Sequence, residues 1–432
     1  MKYRIVSLGC PKNLVDAEHM AGRLDAAGHE LSDDASLVVV NTCAFVAEAC
    51  SESIDTILAE ARKAGGGRLV VTGCLVDRYG EELRELLPEV DLFLGKDACA
   101  DAARIVTGKG FFGRGATAQV RGRDIGVSAP SPRKVLTPLP TTYLRIQDGC
   151  DNRCSYCTIP SIRGPLKSRA VDDIEEEFRR LLEAGFREFN VIGQDTTAYG
   201  KDRGADIKGL LKRLLAVEGD YFLRLLYLHP KGIDDALLEL IAGDERIIPY
   251  LDIPIQHSED AILASMNRGY TRKDLAHIFG KIRSIMADPV LRTTVMVGYP
   301  GEGPDHFQAL CAFISEWEFD NLGAFAYSRE EGTPAARLKG HVRKGVKKER
   351  YGKVMELQRE ISKKRLKRLC GRTVKVVVEA AEADAMTGRL LLQAPDIDGI
   401  AFIKGACAVG EIRTGVVTAT TDYDVVVELR RG

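Results

Sequence analysis

No apolar run in the 432 residues reaches the length of a membrane-spanning helix. The opening MKYRIV lacks the apolar segment of a signal peptide and reads as a strand. A cytoplasmic protein is therefore expected. Net charge is missing too: 61 Lys and Arg against 62 Asp and Glu give −1, so the chain as a whole is no nucleic-acid magnet. There is no low-complexity tract and no internal repeat beyond a strand-helix rhythm, and the length predicts two or three folded domains. Eleven cysteines in a reducing compartment point to metal sites and a few core thiols rather than to disulfides.

Three of those cysteines fall in the window CDNRCSYC, as Cys150, Cys154 and Cys157. Thiolates at this spacing close on one soft metal centre, and three of them on a four-iron cube leave one iron open. Buried core thiols on a helical face are one alternative, and a zinc site is another. Gly149, Asp151 and Asn152 favour a loop over a helix, and zinc needs a fourth ligand that no nearby CxxC or HxxxH supplies. The spacing, with Tyr156 before the last cysteine, resembles the radical S-adenosylmethionine enzymes. That resemblance implies a cluster whose open iron chelates S-adenosylmethionine and cleaves it to a 5'-deoxyadenosyl radical.

The fold class expected is α/β, in three blocks. Strands at 3–8, 37–41, 68–72 and 90–94 alternate with helices, as in a doubly wound parallel domain. Gly and Pro gather at 108–140, which reads as a linker. Six further strands, at 143–146, 188–192, 222–228, 250–255, 293–297 and 323–327, suit an incomplete (β/α)6 TIM-like barrel with its ligands at the carboxyl ends. After a basic helix at 344–368, strands at 373–378, 390–393, 401–404, 411–419 and 423–429 suit a small five-stranded β-barrel, OB-like.

Cys10, Cys43 and Cys74 each stand directly after a strand of the first block. Parallel strands bring their carboxyl ends to one sheet edge, so the three sulfurs are expected to converge as a second three-thiolate site. Coincidental core cysteines are the alternative. Cys50, Cys99, Cys311, Cys370 and Cys407 have no such partners and are expected to be core thiols.

A three-cysteine α/β domain, a radical barrel and a terminal β-barrel in this order resemble the methylthiotransferases over essentially the whole chain. The resemblance implies domains at 1–125, 139–368 and 369–432, the last a TRAM domain. It implies two 4Fe-4S clusters, an auxiliary one on Cys10, Cys43 and Cys74 and a radical one on the catalytic Cys150, Cys154 and Cys157, with S-adenosylmethionine as cosubstrate. Cofactor contacts are implied for Tyr156, Gly193, Gln194 and Asp195 after the second barrel strand, Gln256 after the fourth, and Val297 and Gly298 after the fifth. His257, beside Gln256, reads equally well as a supporting group. One S-adenosylmethionine is to methylate a sulfur on the auxiliary cluster, and a second is to supply the radical.

The family modifies either adenosines of transfer RNA or an aspartate β-carbon of small-subunit ribosomal protein uS12. SLGCPKNLVD (7–16), IPSIRG (159–164) and YSREEGTPA (327–335) resemble the ribosomal-protein branch. Residues 371–432 carry seven Lys and Arg against nine Asp and Glu, a net of −2, where an RNA-gripping module is basic. Partners implied are the ribosomal protein, a sulfur donor and a low-potential electron donor such as flavodoxin or ferredoxin, with no DNA and no membrane. A non-catalytic electron-transfer protein, an RNA-binding zinc protein and a transfer-RNA methylthiotransferase remain the competing readings.

Overall fold

Runs such as LVVVNT and RLVVTG lack polar alternation, and both become almost wholly buried strands of a parallel sheet. The computed structural model describes residues 1–63, 67–80, 82–95, 116–118, 132–382 and 385–430. They divide into two units, one of Met1–Leu136, Arg145–Arg153 and Cys157–Glu177, the other of Thr137–Leu144, Cys154–Tyr156 and Phe178–Gly432. Among the described residues no helix is long and apolar enough to cross a membrane.

In the first unit, β1 (Lys2–Ser7), β2 (Glu30–Leu31), β3 (Leu37–Thr42), β4 (Arg68–Gly73), β5 (Leu92–Leu94) and β6 (Ala116–Ala118) form one sheet in the order 2-1-3-4-5-6. Every pair is parallel. Alternate strand residues feed two cores. Val39 and Val70 pack with Met20 and Leu24 of the helix Pro11–Ala26, and Val38, Val40 and Val71 pack with Cys50 and Ile57 of the helix Ala47–Lys63. Helices thus cover both faces, as the doubly wound expectation requires. Strand order reverses between β1 and β3, which makes their carboxyl ends the switch point where such sheets bind ligands. A short antiparallel ribbon, β8 (Gln147–Asp148) with β9 (Lys167–Ser168), completes the unit.

The expected linker needs correction at its end. Residues 108–115 and 119–131 lie outside those described, but Arg133 is buried and pairs at 2.6 Å with both Glu18 and Glu177. The segment there is a packed strut, because two buried carboxylates demand a cation.

In the second unit, β7 (Thr141–Arg145), β10 (Glu188–Ile192), β11 (Phe222–Leu225), β12 (Ile247–Asp252), β13 (Val290–Val297) and β14 (Asn321–Ala326) lie side by side in chain order. This is the expected open six-stranded barrel wall. The fourth strand runs earlier than 250–255, over Ile247–Asp252, and takes in Pro249. The last five strands, β15 (Thr373–Glu382), β16 (Ala385–Leu390), β17 (Ala401–Lys404), β18 (Ile412–Thr420) and β19 (Val425–Leu429), close into a barrel. Its second strand ends where 390–393 was expected to begin. The Gln393 side chain accepts from Leu390 N at 2.8 Å, and Gln393 N donates back to Leu390 O at 2.8 Å, closing a turn.

This barrel is tied to the six-stranded wall by buried charge. Glu188 Oε1 accepts from Arg224 Nη2 at 2.8 Å and from Arg389 Nη1 at 2.9 Å, and Arg389 also donates to Thr141 Oγ1 at 2.9 Å. Arg224 and Glu188 have fully buried side chains, and the two guanidinium groups outweigh burial and hold the Glu188 carboxyl at about 2.

Three histidines are also buried. Burial pushes His19, His229 and His257 each down to about 3, so they fold neutral. The unfolded chain then binds more protons below about pH 6.5, and stability falls as pH falls, by about 1.4 kcal/mol per pH unit for each imidazole. Urea unfolding of the metal-free protein is expected to show lower stability at about pH 5 than at pH 7. A flat profile would contradict the burial of these rings.

Candidate metal centres

Gly9 and Gly73 bring the ends of β1, β3 and β4 together. Both have positive φ, +85 and +95. A Cβ on Gly9 would stand 2.6 Å from Cys43 Cβ, and one on Gly73 would stand 2.4 Å from Asn41 Oδ1. Only glycine permits that approach. Cys10 caps the helix Pro11–Ala26 and Cys74 opens the helix Cys74–Tyr79. Asn13 Nδ2 laces the edge, donating to Leu8 O at 3.0 Å and Thr42 O at 2.9 Å. Burial pushes the Cys74 thiol up to about 12 against the pull of Arg163, and the Cys10 and Cys43 sulfurs add to the rise. The three expected sulfurs therefore share one electrostatic neighbourhood.

Arg163, from the IPSIRG segment, is the residue the sequence did not single out here. It ends the helix Ile159–Arg163, and its Nη2 lies 2.5 Å from Asn13 Oδ1, 2.9 Å from Asp16 Oδ2 and 3.7 Å from Cys74 Sγ. Its Nη1 reaches Asp148 Oδ1 at 3.3 Å. Arg145 and Arg163 outweigh burial and hold Asp16 at about 2.

The CDNRCSYC window is a loop, as expected, with turns only at Ser155 and Tyr156. Gly149 precedes it at φ +72, where a Cβ would fall 1.9 Å from Pro165 O. Cys150 N donates to Gly164 O at 3.2 Å, and Cys157 Sγ accepts from Ile159 N at 3.4 Å. Ser155 anchors the middle, its hydroxyl 2.8 Å from both Ser265 O and the Tyr299 hydroxyl. Arg268 Nη1 stands 3.2 Å from Cys154 Sγ and 3.4 Å from the Tyr156 hydroxyl.

Among the described residues no three His, Cys, Asp or Glu side chains are gathered tightly enough to hold a single metal ion. A cluster asks for less, since each thiolate binds a different iron. The donors suit iron-sulfur ligation: all-thiol triads, backbone N–H and guanidinium groups at the sulfurs, and the +72 turn at Gly149.

The expected cofactor contacts follow the carboxyl ends of the wall strands. Gly193, Gln194 and Asp195 follow β10, but Asp195 Oδ1 caps the next turn, accepting from Thr197 N at 3.1 Å and Thr197 Oγ1 at 2.6 Å. Gln256 adopts φ +66 and bridges to Val295 of β13. Val297 ends β13. Gly298 N donates to Glu302 Oε2 at 2.8 Å, and Glu302 Oε1 is held by Arg350 at 2.6 Å. The space a Cβ would take on Gly298 is filled by Lys347 Cγ at 2.4 Å, so that glycine admits a lysine stem. His257 is fully buried, its Nδ1 accepting from Glu259 N at 3.0 Å. Cys50 is a core thiol, whereas Cys370 is exposed in the turn after the helix Lys344–Lys367, against expectation; Cys99 lies outside the described residues.

Residues 2–95 match the model described as uncharacterized protein family UPF0004, residues 144–314 the radical SAM superfamily, and residues 370–429 the TRAM domain. The ribosomal protein uS12 methylthiotransferase RimO of Syntrophotalea carbinolica is 42% identical, over 99% of this chain and 96% of its own. That of Geobacter sulfurreducens is 43% identical, over 99% and 98%. This chain belongs to the RimO family of radical S-adenosylmethionine methylthiotransferases. Membership in RimO, with a radical SAM domain, implies an iron-sulfur cluster and S-adenosylmethionine. The radical S-adenosylmethionine methyltransferase TsrM from Kitasatospora setae, solved with cobalamin and a [4Fe-4S] cluster, shares the fold at TM-score 0.56 and 16% identity, covering 77% of this chain and 76% of its own.

Proposed function

We propose that this protein inserts a methylthio group at the β-carbon of an aspartate of ribosomal protein uS12. The observation that carries the reading is the near full-length similarity to RimO proteins at 42% and 43% identity. The net charge of −2 on residues 371–432 favours a basic protein substrate over transfer RNA. We assign one four-iron cluster to Cys10, Cys43 and Cys74 and another to Cys150, Cys154 and Cys157, with domains at 1–125, 139–368 and 369–432. A sulfur donor and a low-potential electron donor complete the reaction in the cytoplasm.

An aspartyl β-C–H is far too weakly acidic for a side-chain base near neutral pH, so radical chemistry is required. When bound, the clusters and two S-adenosylmethionine molecules supply the methylthio group and the hydrogen-abstracting radical. The protein's own task is alignment and exclusion of water. Tyr156, Gly193, Gln194, Asp195, Gln256, Val297 and Gly298 surround the cofactor in this reading. Arg350 steadies Glu302, which fixes the Gly298 N–H. His257, neutral down to about pH 3, supplies no proton near pH 7.

Anaerobic reconstitution is expected to give about eight irons per chain, and alanine at Cys150, Cys154 and Cys157 about half of that. Full iron in that variant, or no more than about four in the parent, would overturn the two-cluster assignment.

A further inference from the structure

We propose that Arg268 is a positioning residue that sets the reduction potential of the cluster on Cys150, Cys154 and Cys157, through an N–H donated to the Cys154 sulfur. The inference rests on the cluster assignment above. Arg268 is 6% exposed and locked on two sides. Its Nη2 donates to Pro254 O at 2.8 Å and its Nε to the Tyr270 hydroxyl at 2.7 Å, and that hydroxyl donates in turn to Ile255 O at 2.9 Å. The remaining nitrogen, Nη1, is aimed at Cys154 Sγ, 3.2 Å away. Among the described residues no carboxylate shares its hydrogen bonds. The Cys154 sulfur, once ionised as a ligand, is the anion this buried cation faces.

Arg163 shows the contrast. It also approaches a cluster cysteine, Cys74, at 3.7 Å, but Asp16 and Asp148 neutralise it. Its charge is offset before it reaches the sulfur, so its role there is to hold the loop. At Arg268, among the described residues, no carboxylate offsets the charge. Reduction adds an electron to an already anionic cluster, and hydrogen bonds and net charge at the sulfurs are what shift its potential. An uncompensated guanidinium therefore favours the reduced form, the state that cleaves S-adenosylmethionine.

The test is a redox titration of the reconstituted holoenzyme followed by electron paramagnetic resonance, with iron and sulfide assayed on the same samples. R268M is expected to make reduction of this cluster at least tenfold less favourable, a fall of about 59 mV for one electron. R268K, which keeps the charge but lacks the fork, is expected to fall by less. The signal of the Cys10, Cys43 and Cys74 cluster is the internal reference and is expected to stay in place. Unchanged potential in a fully loaded R268M, or an equal shift of both clusters, would overturn the proposal. Where R268M fails to hold its cluster, R268K decides: a lowered potential supports the proposal, and one equal to the parent overturns it. A parent enzyme with only about four irons would instead defeat the two-cluster assignment, a separate outcome read from the iron assay.

Discussion

Alanine at Cys10, Cys43 and Cys74 together is expected to abolish methylthiolation while 5'-deoxyadenosine still forms at the parent rate within about twofold. The three thiols serve the sheet edge at β1, β3 and β4, and none is a ligand of the radical cluster in this assignment. Loss of the Cys74 sulfur leaves Arg163 its contacts with Asn13, Asp16 and Asp148, so the helix after Cys157 keeps its anchorage. Each truncation is expected to cost about 1 kcal/mol of stability, as for a typical point substitution. Product and deoxyadenosine are measured in one anaerobic assay. Normal product would mean that these cysteines are core thiols, and loss of both products would mean that the two half-reactions are not separable.

The second large effect is structural. Glu188→Ala is expected to destabilise the protein by about 3–5 kcal/mol, because it leaves the buried Arg224 and Arg389 facing each other without their shared carboxylate. Urea unfolding checks it, and a loss below about 1 kcal/mol would contradict a buried, charge-dependent joint. The Glu188 contribution has a definite sign with pH. Its carboxyl is lowered to about 2 in the folded protein, so the stabilisation is present above the ordinary carboxylate range and is lost as pH falls towards 2. The same joint affects how the terminal barrel is studied. Cutting the chain at residue 371 removes Arg389 and the Leu391 carbonyl from Glu188 and Arg224, so truncation damages the six-stranded wall as well as any recognition surface.

Much of this architecture was legible in the sequence because its signals are local. The wall strands have β-branched or aromatic runs, and β10 spans Glu188–Ile192, the 188–192 its sequence predicts. Cys10, Cys43 and Cys74 stand out in the sequence because each follows a strand run; in the fold Cys43 and Cys74 come directly after β3 and β4, and Cys10 three residues after the end of β1. What escaped has no local signature. Strands β2 and β6 have two and three residues, too few for periodicity. The triple leucine at 390–392 reads as a strand, yet the Gln393 side chain turns the chain there. The arginines are illegible for a different reason. Arg163 meets Asp16 across 147 residues and Arg389 meets Glu188 across 201, and only the folded chain says which of many basic residues finds a buried acid or a cysteine.

The most direct test of the central claim is mass spectrometry of purified uS12 and of transfer RNA after incubation with the anaerobically reconstituted enzyme, S-adenosylmethionine, a sulfide source and a low-potential reductant. The expected result is one methylthio group in place of hydrogen on a single uS12 aspartate, with the transfer RNA unaltered. A methylthio group on a transfer-RNA adenosine, with uS12 unmodified, would contradict the proposed function.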